Sequence, residues 1–240
     1  MWLPLLVSLA AVAAEPTVDE LLNAADDFAR GTSSHGTVEM YVKTANYERS
    51  MTIESWSQGT ERSLMVIRSP AKDAGVATLK VDENIWNYLP KVDRTMKIPA
   101  GMMSGSWMGS HFSNDDLVKE SRLVTDYTSK MTGTPSTSAD HLYTIELVPK
   151  PDAPVVWGKL VVKITADKLP SSMEFYAEDG KLARTQAFTD VREMDGRRIP
   201  CVMTLIPADK PAELTRVTYV NLDFDVVVSA DRFSLQSLHP

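Results

Sequence analysis

The feature that most restricts what this chain can fold into is a two-residue alternation of apolar and polar side chains, repeated along much of its length. Val38, Met40 and Val42 alternate with Thr37, Glu39 and Tyr41, and Met51 and Ile53 alternate with Thr52 and Glu54. Tyr143, Ile145 and Leu147 alternate with Thr144 and Glu146; Leu160, Val162 and Ile164 alternate with Val161 and Lys163; Met173 and Phe175 flank Glu174. Side chains on a strand point to opposite faces in turn, so each run predicts a strand with one buried face. In Leu64-Met65-Val66-Ile67 both faces are apolar. Asp179-Gly180 and Asp195-Gly196 stand between strand candidates, and Asp-Gly is a strong hairpin signal. Roughly ten strands in meander order are expected, joined by short turns.

Two segments depart from this pattern. Thr17 and Glu20 form a capping box, in which each side chain satisfies a free backbone N–H at the start of a helix. Val18, Leu21, Leu22, Ala25, Phe28 and Ala29 then follow helical spacing, and Gly31 is placed to stop the helix. The result is an amphipathic helix of about four turns that needs an apolar surface to lie on. The second departure runs from Pro99 to Lys119, rich in Gly, Ser, Met and aromatic residues but without a strand period. Ser113 or Asn114 can cap a short helix through Asp116 and Leu117. This stretch predicts a helical or irregular crossover lying on the sheet. One sheet with two such elements predicts a strongly curved sheet that wraps a cavity plugged by the helices. Thr132 to Ser138 reads as a loop between two halves of that sheet.

The run Trp2 to Ala13 is apolar and uncharged and ends in Ala11-Val12-Ala13. It reads as a secretory signal, too short to span a bilayer. Residues 1–14 are therefore expected to be removed near Ala13/Ala14, leaving 15–240 as one exported domain. The formal net charge of −7 argues against nucleic acid and against a purely electrostatic grip on anionic lipid. It is compatible with a hydrophobic ligand. The lone Cys201 has no partner for an internal disulfide and is expected to be a small buried apolar residue. Stability must then come from the core, which a chain of this length can supply.

The residues give little sign of catalysis. His35, His111, His141 and His239 form no metal-ligand spacing, and there is no nucleophile elbow, P-loop or dinucleotide fingerprint. Asp115 and Asp116 with Glu120 would serve a hydrolase as acid and base. The favoured alternative is a helix N-terminus, where acidic residues suit the dipole. Neither catalytic residues, a metal nor a cofactor is expected.

Binding features are richer. Methionine is flexible and polarisable, and Trp and Tyr present broad apolar faces, so both suit a pocket for chains of varied shape. The candidate ligand-binding residues are Trp56, Met65, Ile67, Trp86, Tyr88, Leu89, Met102, Met103, Trp107, Met108 and Phe112. Leu21, Leu22, Ala25 and Phe28 on the N-terminal helix are the candidate lid. The same side chains would also make an ordinary core.

The stretch Ile85 to Pro99, with Trp86, Tyr88-Leu89-Pro90, Arg94 and Ile98, resembles the W-x-Y-L-P…R…I segment of LolA-like outer-membrane lipoprotein-sorting proteins. Gly105-Ser106-Trp107-Met108-Gly109-Ser110-His111-Phe112-Ser113-Asn114-Asp115-Asp116-Leu117 resembles the segment that follows it, with His111 where that family usually has Asp. Ser69-Pro70, Gly75, Asp195-Gly196, Ile199-Pro200 and Ala230 to Ser234 also fit. The resemblance implies an unclosed antiparallel half-barrel with helices filling its concave face, and a hydrophobic cavity that takes acyl chains. It implies a periplasmic carrier of a lipid or lipoprotein, with an exporter of the resistance-nodulation-division type and an outer-membrane acceptor as candidate partners. The alternative on the same fold is a lipid-sensing or structural interaction module.

Overall fold

The structure is a computed structural model that describes residues 15–119 and 123–239. The apolar run at 1–14 and Glu120 lie outside the described residues. The expectation of mostly strand is met by one antiparallel sheet of 13 strands, not closed into a barrel. Six strands make a first wing: β1 (Ser33–Lys43), β2 (Glu48–Gln58), β3 (Arg62–Ser69), β4 (Ala77–Val81), β5 (Asn84–Leu89) and β6 (Arg94–Lys97). Seven make a second wing: β7 (Tyr127–Gly133), β8 (Tyr143–Pro149), β9 (Lys159–Ile164), β10 (Pro170–Tyr176), β11 (Leu182–Met194), β12 (Arg197–Pro207) and β13 (Leu214–Phe224). The excess over ten comes mainly from short strands and polar strands, whose alternation is weak.

The strand order is β6-β5-β4-β3-β2-β1-β13-β12-β11-β10-β9-β8-β7. The chain therefore starts at the centre, meanders out to one edge, crosses over to the opposite edge, and meanders back. The first and last strands pair along a central seam, Ser34 opposite Phe224 through Lys43 opposite Leu214. Asp225 clamps that seam: its Oδ1 accepts from the Thr32 amide (3.0 Å) and hydroxyl (2.7 Å), and it also binds Arg197. A register shift falls between Thr37 and Val38. Beside it a Cβ at Gly36 would stand 2.4 Å from the Asn221 carbonyl oxygen, so only glycine fits. The Asp195-Gly196 turn joins β11 to β12 with φ of 46° and 74°, the double positive φ of a tight hairpin.

Each wing is covered on its inner face by a different element. Helix α1 (Val18–Asp27) has the anticipated box: Glu20 N–H donates to Thr17 Oγ1 (3.2 Å) and Thr17 N–H to Glu20 Oε2 (3.0 Å). It ends about a turn earlier than the spacing suggests, with Phe28 as C-cap and Gly31 at φ 62°. Its Leu21, Leu22 and Ala25 are buried against Tyr143, Ile145, Leu147, Leu160, Val162 and Ile164 of the second wing. On the first wing, Trp107 of the crossover packs on Val38, Met40, Val42, Met51, Ile53 and Ile67.

The outer face of the first wing is covered as well. Two short 3-10 helices, Ala230–Phe233 and Leu235–Leu238, bury Phe233 and Leu238 against Trp56, Leu64, Val66, Ala77, Leu79 and Tyr88. That second cover explains the doubly apolar pattern of Leu64 to Ile67. Leu64 and Val66 face the C-terminal helices, while Met65 and Ile67 face the crossover side. Cys201 is buried and free, as its composition suggested, beside Ile199, Leu222 and Phe224.

Candidate functional site

The crossover folds as it does because it satisfies its own backbone. Ser106 and Ser113 form an antiparallel bridge. Trp107 N–H donates to Phe112 O (2.8 Å), Asn114 N–H to Gly105 O (3.0 Å) and Asp115 N–H to Met103 O (2.8 Å). The turn between is made by Met108 and Gly109 at φ 50° and 70°. Short helix α2 (Asn114–Lys119) follows, capped reciprocally: Asp116 N–H donates to Ser113 Oγ (3.2 Å) and Ser113 N–H to Asp116 Oδ2 (2.8 Å). A further short helix, α3 (Leu123–Asp126), leads into β7. A Gly- and Ser-rich segment without a strand period is thus knitted internally.

Arg49 Nη1 donates to the Met108 carbonyl (3.1 Å) and the Tyr47 hydroxyl to the Gly109 carbonyl, and three ties made by the crossover's own side chains add to these. The Trp107 indole N–H donates to the buried Thr78 hydroxyl (3.1 Å), which donates to Asn87 Oδ1 (2.8 Å). His111 Nε2 lies 3.0 Å from Glu213 Oε2 and Nδ1 lies 2.8 Å from Thr215 Oγ1. The hydrogen bond from His111 is the main reason the Glu213 carboxyl sits below its ordinary pKa. The third tie is a two-pronged ion pair: Arg184 Nη2 to Asp116 Oδ1 (2.6 Å) and Nη1 to Oδ2 (2.8 Å). Burial alone would raise the Asp116 pKa, but the Arg184 guanidinium and the Ser113 donors outweigh it and hold the carboxyl below its usual value.

Between these roof elements and the sheet lies a cavity of about 270 Å³. Its floor spans both wings: Val38 and Met40, Ile53 and Met65, then Leu160, Met173, Phe175, Phe188, Met203, Val217 and Tyr219. Its roof is Ala25 and Phe28 of α1, Trp107, Phe112 and Leu117 of the crossover, Leu123 and Tyr127, and Val155 to Trp157 from the β8–β9 connection. The wall is mostly aliphatic, thioether and aromatic, with Asp26, Asp115, Asp116, Asp126, Arg184 and Gln186 as its main polar members. An apolar void of roughly 150 Å³ already stays dry and accepts a benzene-sized guest, so this one has room for a larger apolar group. Burial pushes the Tyr127 phenol up to about 12, aided by the nearby Asp126 and Asp115 charges.

Of the candidate ligand-binding residues, Met65, Trp107 and Phe112 line this cavity, as do Ala25 and Phe28 of the candidate lid. Ile67 is buried next to it in the Trp107 cluster, and Met108 packs at that cluster's margin. Trp56, Trp86 and Tyr88 belong to the cluster under the C-terminal 3-10 helices, on the other face of the sheet. Leu89 and Met103 are outside the cavity wall, and Met102 is 58% exposed. Leu21 and Leu22 are fully buried in the α1 cluster rather than exposed to the cavity. Sequence reasoning missed Trp157, Arg184, Phe188, Met203, Val217 and Tyr219. Trp157 lies in the connection between β8 and β9, and the strands of the others are too polar or too irregular to show which face is buried.

One protein-family model, described as uncharacterized protein, matches residues 59–240. No curated protein matches the chain. Among solved structures, a DUF1329 family protein from Desulfovibrio piger is 21% identical, with 91% of this chain and 96% of that one covered and a TM-score of 0.80. An outer-membrane lipoprotein-sorting protein domain from Vibrio parahaemolyticus (21% identity, 92% and 97% covered) and a LolA superfamily protein from Nitrosomonas europaea (21%, 92% and 99%) each give 0.75. The chain belongs to the matched family and has the LolA-like fold. In that LolA-like frame the crossover from β6 to β7 and helix α1 occupy the inner face of the half-barrel, as the resemblance implied. Among the described residues, no helix is long and apolar enough to cross a membrane.

Proposed function

We propose that this protein is a periplasmic carrier that takes acyl chains of a lipid or lipoprotein into the inner-face cavity and passes its cargo between membrane components. The observation that carries this reading is the apolar cavity of about 270 Å³ roofed by elements that are not part of the sheet. Each buried methylene is worth about 0.8 kcal/mol, so an acyl chain gains by entering. Moving the roof then exchanges roof–floor contacts for ligand–floor contacts of similar size, which makes release possible. Two of the similar structures are named for the LolA superfamily or for lipoprotein sorting, in keeping with this role. The reading includes export and removal of residues 1–14, residues 15–240 as the working domain, and exchange with an exporter of the resistance-nodulation-division type and an outer-membrane acceptor.

Catalysis is not part of the proposal. Both Asp116 oxygens are engaged by Arg184 and its pKa is lowered, which suits neither proton donation nor nucleophilic attack. The test is mass spectrometry of lipid extracted from protein purified from its native host, followed by transfer of labelled acyl lipid between vesicles. Co-purified acyl lipid and catalysed transfer are expected. Empty protein that also rejects acyl probes would overturn the reading, and binding without transfer would recast the protein as a sensor.

A further inference from the structure

Arg184 is an odd residue to find in this cavity. It is only 7% exposed, in a wall that is otherwise mostly apolar. Its guanidinium lies 4.6 Å from the ring centre of Trp157 and 4.3 Å from that of Phe175, and the two rings lie 5.2 Å apart. Aromatic faces attract a cation and fix the plane of the guanidinium. Its end nitrogens hold Asp116, and its buried Nε has no hydrogen-bond partner among the described residues. The other acidic residues of the wall, Asp26, Asp115 and Asp126, have interactions of their own. Arg184 is thus a rigid cation with one donor still unused, presented to an apolar chamber and already gripping a carboxylate.

Its partner sits on a separate element. Asp116 belongs to α2 in the crossover, whereas Arg184 is on β11, 68 residues away in the chain. If the crossover lifts to admit cargo, Asp116 leaves with it and the guanidinium is exposed to whatever has entered. A neutral acyl head would leave a buried cation unpaired, which is costly. A carboxylate or phosphate oxyanion would replace the lost carboxylate with the same two-pronged geometry.

We propose that Arg184 is the head-group site of the cavity, and that the cargo is an acyl amphiphile with a single oxyanion head, carboxylate or phosphate, exchanging with Asp116. This rests on the carrier reading and adds the chemical class of the cargo. Exchange also makes occupancy and crossover position mutually exclusive at one atom group, so binding of the anion and closure over Arg184 compete.

The test compares four probes of equal acyl length on the purified protein: palmitate, lysophosphatidate, lysophosphatidylglycerol and neutral monopalmitoylglycerol. Binding is read from intrinsic Trp fluorescence and thermal shift. The anionic probes are expected to bind about tenfold more tightly than the neutral one, as for a buried charge-assisted pair. Comparison among palmitate, the phosphomonoester and the phosphodiester separates a fatty-acid head from a phospholipid head.

Arg184→Met should abolish the preference while neutral binding persists. Asp116→Asn keeps Arg184 and removes its competitor. It should strengthen anion binding and, uniquely, gain thermal stability from palmitate beyond that of the native protein. If Arg184→Met does not fold, the Asp116→Asn result decides alone. Equal affinity for anionic and neutral probes, or anion binding unchanged in Asp116→Asn, would overturn the head-group assignment and leave the carrier reading standing. Rejection of all four probes would overturn both.

Discussion

The two wings of the sheet solve the same problem by different means. The second wing is covered by a regular helix, α1, whose attachment is almost wholly apolar: Leu21 and Leu22 are fully buried among aliphatic and tyrosine side chains. The first wing is covered by an irregular crossover that adds specific polar ties to the apolar packing of Trp107 on Val38, Met40 and Ile53. The Trp107 indole and the Arg49 guanidinium tie it to the first wing, while His111 and the Asp116–Arg184 ion pair tie it across to the second. Apolar contact is non-directional and tolerates sliding. Hydrogen bonds and ion pairs are either made or broken. A cover held this way is fixed in place by specific partners.

This contrast can be broken from either side. The largest effect is expected at Trp107→Ala, which removes the indole from its packed site and its bond to Thr78. A loss of about 4 kcal/mol is anticipated from denaturant unfolding. Leu22→Ala on the opposite cover should cost about 3 kcal/mol. Trp107→Phe separates the two contributions on the first wing: it keeps most of the burial and should lose only about 1 kcal/mol if the Thr78 bond is an ordinary one.

Asp116→Ala comes next, at about 3 kcal/mol, because it strands the Arg184 charge in the wall. The double variant Asp116→Leu/Arg184→Met should recover most of that loss, since a buried pair is often no better than apolar residues of similar size. A double variant as unstable as the single one would mean that the pair is essential for placing the crossover.

The same pair sets a dependence on acid. The folded-state pKa of Asp116 is depressed, so its contribution is present above the unfolded-state value and is lost as pH falls through the lower, folded one. The acid limb of the stability curve should flatten in the double variant. Tyr127 works at the other end. Its folded pKa, raised to about 12, gives a contribution that is complete below the unfolded value near 10 and lost as pH rises through the folded one. Tyr127→Phe should therefore remove part of the alkaline loss of stability between these values, seen by titration of thermal unfolding. The smallest effect is expected at Thr17→Ala, about 1 kcal/mol from the lost α1 cap, with cavity binding unchanged.

How much of this was legible in the sequence follows from the same contrast. Alternation reports that a strand has two unlike faces, so the sheet, its meander and the capped helix could be read from Val38 to Val42, Tyr143 to Leu147 and Thr17 to Phe28. Alternation does not say which face looks inward. Trp56, Trp86 and Tyr88 alternate as well as Met65 does, yet they face the C-terminal 3-10 helices instead of the cavity. That distinction depends on Phe233 and Leu238, more than 140 residues later. Arg184 left no trace because β11 reads as a polar strand, and a buried cation there makes sense only once Asp116 is beside it. The motif around Trp107 and Asp116 marked the right segment, but the roles of its residues came from partners elsewhere in the chain.

The seam between β1 and β13 also sets when the cavity can form. Each wing is a meander of neighbouring strands, so its contacts are short in sequence and quick to form. The seam joins Thr32 to Asp225, 193 residues apart, and long-range pairings of this kind form late. Val38 and Met40 on one side of it, and Val217 and Tyr219 on the other, are cavity floor. The floor is therefore completed by the last strand of the chain. The cavity is incomplete until β13 has paired with β1.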